Sequence, residues 1–264
     1  MNLDRYVVRE SPIHAADARV KIVATVGFIL ALSLLPVGSF IAIGAAWAAL
    51  IALSMAARIG PMRMVRASFV ALPFAAAALP LLFTKDGDAI GTVDFGLFAL
   101  TATWPGLVAV FTILFKSWVS VQAATMLIFT TRFHDLMHGF ERLRLPRLMV
   151  AIISLMYRYL AVLTDEASRM MRARAARSAA LPGAKRPSVR WQASVVGNMV
   201  GALFLRSYER SERVYVAMQA RGYDGTMVRH EAPPLGLPGF AAIGSVAVGL
   251  AAFELVAFLW LPRP

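Results

Sequence analysis

The sequence predicts an all-α polytopic membrane protein with about five transmembrane helices and two long cytosolic helices, on three observations. First, 59% of its 264 residues are hydrophobic and its mean hydropathy is +0.65, whereas a soluble domain is roughly 45–50% apolar. Second, several apolar runs approach the ~20 residues a helix needs to cross a bilayer. Third, loops rich in arginine alternate with loops that lack it, the bias that orients membrane proteins with their basic loops inside. The formal net charge of +12 is read as that bias and not as affinity for nucleic acid. The absence of cysteine excludes disulfides, zinc–thiolate centres and thiol catalysis.

The first run, Val20–Leu35, follows a mixed-charge stretch holding Asp4, Glu10 and Asp17. A cleaved signal would have a shorter, basic leader, so this segment is read as retained. "LPVGS" makes an uncharged turn at Pro36 and Gly38, and Phe40–Ala57 returns. "RIGPMRMVR" carries Arg58, Arg63 and Arg66 and no acid, as an inside loop should. Ser68–Phe83 crosses outward with a kink risk at Pro73. The acidic stretch "TKDGDAIGTVDFGLFALTATW" reads as an external loop, and Pro105–Phe129 crosses back. Lys116 interrupts that run and is expected to face other helices or water.

Leu148–Leu163 looks like a span but has only about sixteen residues and contains Arg158. Crossing here would strand Arg169, Arg172, Arg174, Arg177, Lys185, Arg186 and Arg190 outside, against the charge bias of every other loop. Thr130 to about Pro234 is therefore kept cytosolic. Within it, Leu148–Ser178 is one long helix whose apolar first half lies against the membrane or other helices. "LPGAKRP" ends it, and a second helix from Ser188 repeats the layout, apolar first and charged later, stopping at Gly222. Phe240–Leu261 is a final outward span in which Glu254 needs a partner. The chain thus divides into 1–129 (N-terminal segment and four spans), 130–235 (cytosolic region) and 236–264 (last span).

The two cytosolic helices share an ending: Ala176-Arg177-Ser178 and Ala220-Arg221-Gly222. One arginine at a helix C-terminus is explained by the helix dipole or by anionic lipid. Two matched cases suit a twofold partner, because a planar guanidinium between small residues can enter a groove and bind carboxylates or carbonyls in pairs. "GNMVG" spaces Gly197 and Gly201 so that the two long helices can cross closely. The methionines at 149, 156, 170, 171, 199 and 218 read first as core packing, and second as an adaptable partner surface.

These endings resemble the two short arginine motifs of the transmembrane T component of energy-coupling factor (ECF) transporters, most closely the CbiQ branch of cobalt importers. "ESPIHAADARVKI", "TTRFHDLMHGFERLRLP" and "SYERSERVYVAMQARGYDG" resemble further family segments spread along nearly the whole chain. The resemblance implies a non-catalytic subunit of the bacterial inner membrane, with N-terminus and coupling helices in the cytoplasm. It implies two ABC-type ATPase subunits anchored by Arg177 and Arg221, with Ala176, Ser178, Ala220 and Gly222 as their flanks. It also implies a substrate-capturing membrane subunit of the CbiM type, with a small accessory membrane subunit as an option. No cofactor, metal site or catalytic residue is implied in this chain.

Other readings stay open at this point. A T component for nickel or a vitamin differs little in sequence. "HDLMH" sets His134 and His138 four apart, close to a metalloprotease helix, but aspartate is a shorter base and no third ligand is evident. A permease forming its own pathway is weakly invited by Lys116 and Glu254. No phosphate-binding glycine loop occurs, so ATP hydrolysis falls to another subunit. Asp165 and Glu166 stand beside arginines and are expected to pair with Arg169 and Arg172.

Overall fold

The computed structural model describes residues 6, 7, 9, 11–69, 77–84, 88–94, 99–177, 188–224 and 236–260. Helix dominates, and the protein is an all-α polytopic membrane protein. Its helices are α1 (Pro12–Ala15), α2 (Ala18–Leu34), α3 (Phe40–Ala56), α4 (Pro61–Ser68), α5 (Leu81–Thr84), α6 (Trp104–Thr130), α7 (Phe133–Arg142), α8 (Arg147–Arg177), α9 (Val189–Ala220) and α10 (Leu237–Trp260). The expected outward loop after α5 instead contains an antiparallel hairpin, β1 (Ala89–Asp94) with β2 (Ala99–Thr103), in which Thr92 pairs Thr101 and Asp94 pairs Ala99. The Thr/Val-containing run around Thr92 has strand propensity, and local pairing satisfies its backbone groups.

Local chemistry sets the helix ends. Asp17 Oδ1 accepts from the Arg19 amide at 2.9 Å and starts α2. Gly38 takes φ +89°, and Ser39 Oγ donates to the Pro36 carbonyl at 2.7 Å, turning the chain into α3. Thr103 Oγ1 accepts from the Gly106 amide, and Pro105 stands in the first turn of α6. Among the described residues, three helical stretches are long and apolar enough to cross a bilayer: Trp104–Thr130, Arg147–Arg177 and Gly239–Phe258; Phe40–Ala56 is apolar but shorter. Of the expected span at Ser68–Phe83, residues 70–76, Pro73 among them, lie outside the described residues, as does the "LPGAKRP" breaker; its described end is a turn at Leu79 and Pro80 followed by α5.

The chain forms two compact units, one of Asp4–Leu143 with Ala232–Pro264, the other built on Arg144–Glu231. The first has a core of Leu32, Leu35, Ile43, Leu50, Val119, Met126, Phe129 and Ala257, among others. Its outer surface stays apolar: Ile41 is 84% exposed and Leu34 75%, as lipid-facing residues should be. Two polar groups inside are answered from neighbouring helices. Trp47 Nε1 donates to the fully buried Gln122 Oε1 at 3.2 Å. Lys116 Nζ donates to the carbonyls of Ser33 and Leu35, capping the C-terminal end of α2. It thereby faces a neighbouring helix. Among the described residues, Glu254 Oε1 is buried with no hydrogen-bond partner.

Two family-like sequence segments meet in this unit. Lys21 Nζ donates to the carbonyls of His14 (3.0 Å) and Thr130 (3.1 Å), and the Val7 amide donates to the Phe129 carbonyl at 3.0 Å. α7 lies against α2 at Gly139, where an added Cβ would come within 2.7 Å of Ile22 Cδ1. The Arg132 guanidinium stands 5.2 Å from the Tyr6 ring centroid, a cation–π contact.

Candidate docking site

The second unit carries both arginine endings. α9 stops by a two-bond glycine cap: the Tyr223 amide donates to the Met218 carbonyl at 3.0 Å, and the Gly222 amide donates to Gln219 at 2.9 Å. Gly222 sits at φ +82°, where an L side chain is strained. The cap leaves Ala220, Arg221 and Gly222 all exposed. At the other ending, α8 runs to its last residue, Arg177, with Arg174 one turn earlier, so two guanidinium groups face the negative end of the dipole. Ala176 and Arg177 are exposed, whereas Ser178 lies outside the described residues.

The two helices pass each other in opposite senses. Leu163 and Glu166 of α8 line one pocket with Leu203, Arg206 and Ser207 of α9. Earlier residues of α8, from Ala151 to Tyr159, line a groove with later ones of α9, from Arg210 to Met218. The end bearing Arg221 therefore lies beside the first turns of α8, and Arg177 is at its far end. α8 has 31 residues, about 45 Å at the usual helical rise. The two arginines are thus presented at opposite ends of the pair.

The groove between the helices has a volume of about 460 Å³ and is walled by Ile152, Leu155, Met156, Tyr159, Val214 and Met218, among others. The expectation of methionine as core filler fails here. Met149, Met156 and Met171 are each more than half exposed, because two lone helices cannot enclose them. Gly197 and Gly201 are not brought against α8. Among the described residues, an added Cβ at either would meet nothing within 4 Å; the helices touch farther along α9.

Of the pairing expected around Glu166, one half is found and one is redirected. Arg169 donates to Glu166 Oε2 at 2.6 Å within α8, but the other carboxylate oxygen accepts from Arg206 of α9 at 2.6 Å. These bonds, first from Arg169 and then from Arg206, hold the Glu166 carboxyl below the usual carboxylate range. It therefore stays charged at neutral pH. The partner across the helices was invisible to spacing rules. The role of Tyr223 was legible in principle, since the glycine cap is usually accompanied by an apolar contact from the residue after the glycine; Tyr223 and Met218 indeed share the groove.

The histidine pair "HDLMH" lies on α7. His134 is exposed, and His138 lines a polar cleft with His14, Asp17, Lys21, Asp135 and Arg142. Among the described residues, no three of His, Asp and Glu come together as a set that could hold a metal ion. His14 instead completes an N-terminal cap: its amide donates to Ser11 Oγ at 3.3 Å, and its ring meets Tyr6 edge-on.

A family model for CbiQ, described as cobalt transport protein, matches residues 9–233. The energy-coupling factor transporter transmembrane protein EcfT of Listeria innocua is 25% identical over 237 residues, 85% of each chain. The cobalt transport protein CbiQ of Rhodobacter capsulatus is 29% identical over 153 residues, 58% of this chain and 60% of that one. An uncharacterised protein of Methanocaldococcus jannaschii is 29% identical over 126 residues, 48% of this chain and 41% of that protein, so the chain spans less than half of that relative.

Proposed function

The chain belongs to the CbiQ family of cobalt transport proteins, and from that premise we propose that it is the coupling subunit of an ATP-driven cobalt importer of the energy-coupling-factor type. In this reading two ABC-type ATPase subunits dock on Arg177 and Arg221, and their closure on ATP is passed along α8 and α9 to a substrate-capturing membrane subunit of the CbiM type. Cobalt ion is the cargo and binds in that subunit. This chain lies in the bacterial cell membrane with α8 and α9 on the cytoplasmic side, and hydrolysis belongs to its partners.

One observation carries the proposal: two exposed, arginine-bearing ends stand at opposite ends of one helix pair. A single partner of modest size would not engage both, whereas a pair of equivalent subunits would take one each. The exposed groove between the helices supports the second half, since apolar side chains left bare on both of its walls suit an apolar face of a partner. Substitution of both Arg177→Glu and Arg221→Glu is expected to abolish co-purification of the ATPases while the chain still inserts and melts as the wild type does. Retention of both ATPases by the double variant would overturn the docking role. Cobalt as cargo is tested by uptake of labelled Co²⁺ in proteoliposomes holding the whole complex; uptake of nickel or a vitamin in its place would reassign it.

A further inference from the structure

α8 and α9 have almost no core of their own. Val150 and Ala151 are the buried residues of α8, and α9 has none. Packing therefore does little to set the angle or register at which the helices pass. A directional contact stands where they meet. The Glu166 carboxylate is shared, one oxygen held by Arg169 of its own helix and the other by Arg206 across the gap, both at 2.6 Å. Arg169, one turn on, holds the carboxylate in the orientation that Arg206 requires. Leu163, Ser207 and Arg210 border both the apolar groove and the polar pocket, so the bridge marks the boundary between them.

Its location along the helices is between the two tips. Glu166 precedes Arg177 by eleven residues, about 16 Å of helix. Arg206 precedes Arg221 by fifteen residues, about 22 Å. A push at either tip is thus a torque about this contact. The arginine side chains are 58% and 61% exposed, and ion pairs of that kind add little to stability. They do fix geometry, because a planar guanidinium accepts a carboxylate in few orientations.

Resting on the coupling role proposed above, we propose that Glu166 is a positioning residue: with Arg206, it pins α8 to α9 so that motion at the arginine tips is transmitted and not lost as slippage between the helices.

The test uses the full complex in proteoliposomes and reads labelled Co²⁺ uptake per ATP hydrolysed. Arg206→Glu sets two carboxylates against each other. The ratio is expected to fall about tenfold, the scale of an ordinary coupling free energy, with ATPase co-purification unchanged. Arg206→Lys should keep most of the ratio. The charge swap Arg206→Glu with Glu166→Arg should restore it to within about twofold. The chain has no cysteine, so spin labels can be placed at Met171→Cys and Glu212→Cys without background. Their distance distribution should broaden in Arg206→Glu and narrow again in the swap. An unchanged ratio in Arg206→Glu, a swap that fails to rescue, or an unaltered label distribution would each overturn the proposal. Should the wild-type complex take up no Co²⁺, the cargo assignment fails, and the label distances still decide the bridge.

Discussion

The two units of this protein are both helical and both apolar, yet they are built on opposite terms. In the unit containing α2, α3, α6 and α10, apolar side chains are divided between a close-packed interior and a lipid-facing exterior. Leu32 and Ile43 are 1% exposed while Leu34 and Ile41 are open. In the unit of α8 and α9 that division is nearly absent, with Val150 and Ala151 the buried residues of α8 and none on α9. Apolar residues such as Met156, Val200 and Phe204 are each 60% or more exposed, with no interior behind them. The difference teaches where each unit keeps its specificity. The first is defined by its own packing; the second is defined by its caps, its charges and what it binds.

Truncation breaks or sharpens this contrast most directly. Leu32→Ala opens a cavity in the packed interior and is expected to cost about 2–4 kcal/mol, read as a lowered melting temperature in detergent. Met156→Ala removes a side chain that is already 62% exposed and should move melting by less than about 0.5 kcal/mol. It should weaken capture of the membrane partner instead. Equal destabilisation by the two would mean that α8 has a core after all.

A smaller effect is expected at the α9 cap. Gly222→Val forces a β-branched residue into φ +82°, at a cost of roughly 1–2 kcal/mol. The result should be local: faster hydrogen exchange at the Tyr223 amide, weaker ATPase binding and an unchanged melting temperature. Unaltered exchange at Tyr223 would show that the glycine is dispensable there.

The smallest effect concerns pH. Burial, then the Lys21 charge, lowers the His14 pKa below its ordinary value. A depressed histidine contributes stability above its unfolded pKa, and that contribution falls away as pH drops from the unfolded value to the folded one. The N-terminal segment should therefore hold less firmly in mild acid, seen as faster protease cleavage before α2, and His14→Gln should flatten that dependence. A wild-type cleavage rate flat between neutral and mildly acidic pH would refute it.

Much of this was legible in the sequence because it rests on local physics. Apolar runs and arginine-bearing loops report a bilayer residue by residue, Gly222 marks a helix stop by backbone conformation alone, and Arg177 and Arg221 were singled out by their small neighbours. The less legible features depend on what lies across space. The sequence paired Asp165 and Glu166 with the nearby Arg169 and Arg172, but Arg206 is forty residues distant and no helical period points to it. Gly197 and Gly201 had the right interval for a close crossing, yet an interval does not say which helix, if any, occupies the far side. The hairpin at Ala89–Thr103 was hidden because β pairing needs a partner strand as well as strand-forming residues.

By itself, then, the sequence determined the helical membrane class, the helix ends and the two arginine endings, since each follows from hydropathy, charge or backbone preference within a few residues. Only the tertiary structure decided that those endings stand at opposite ends of one helix pair, that Met156 and Met218 line an open groove, and that Glu166 reaches Arg206. These depend on the direction in which two separate helices pass, and α9, with no buried residue of its own, carries no core pattern from which that direction could be read.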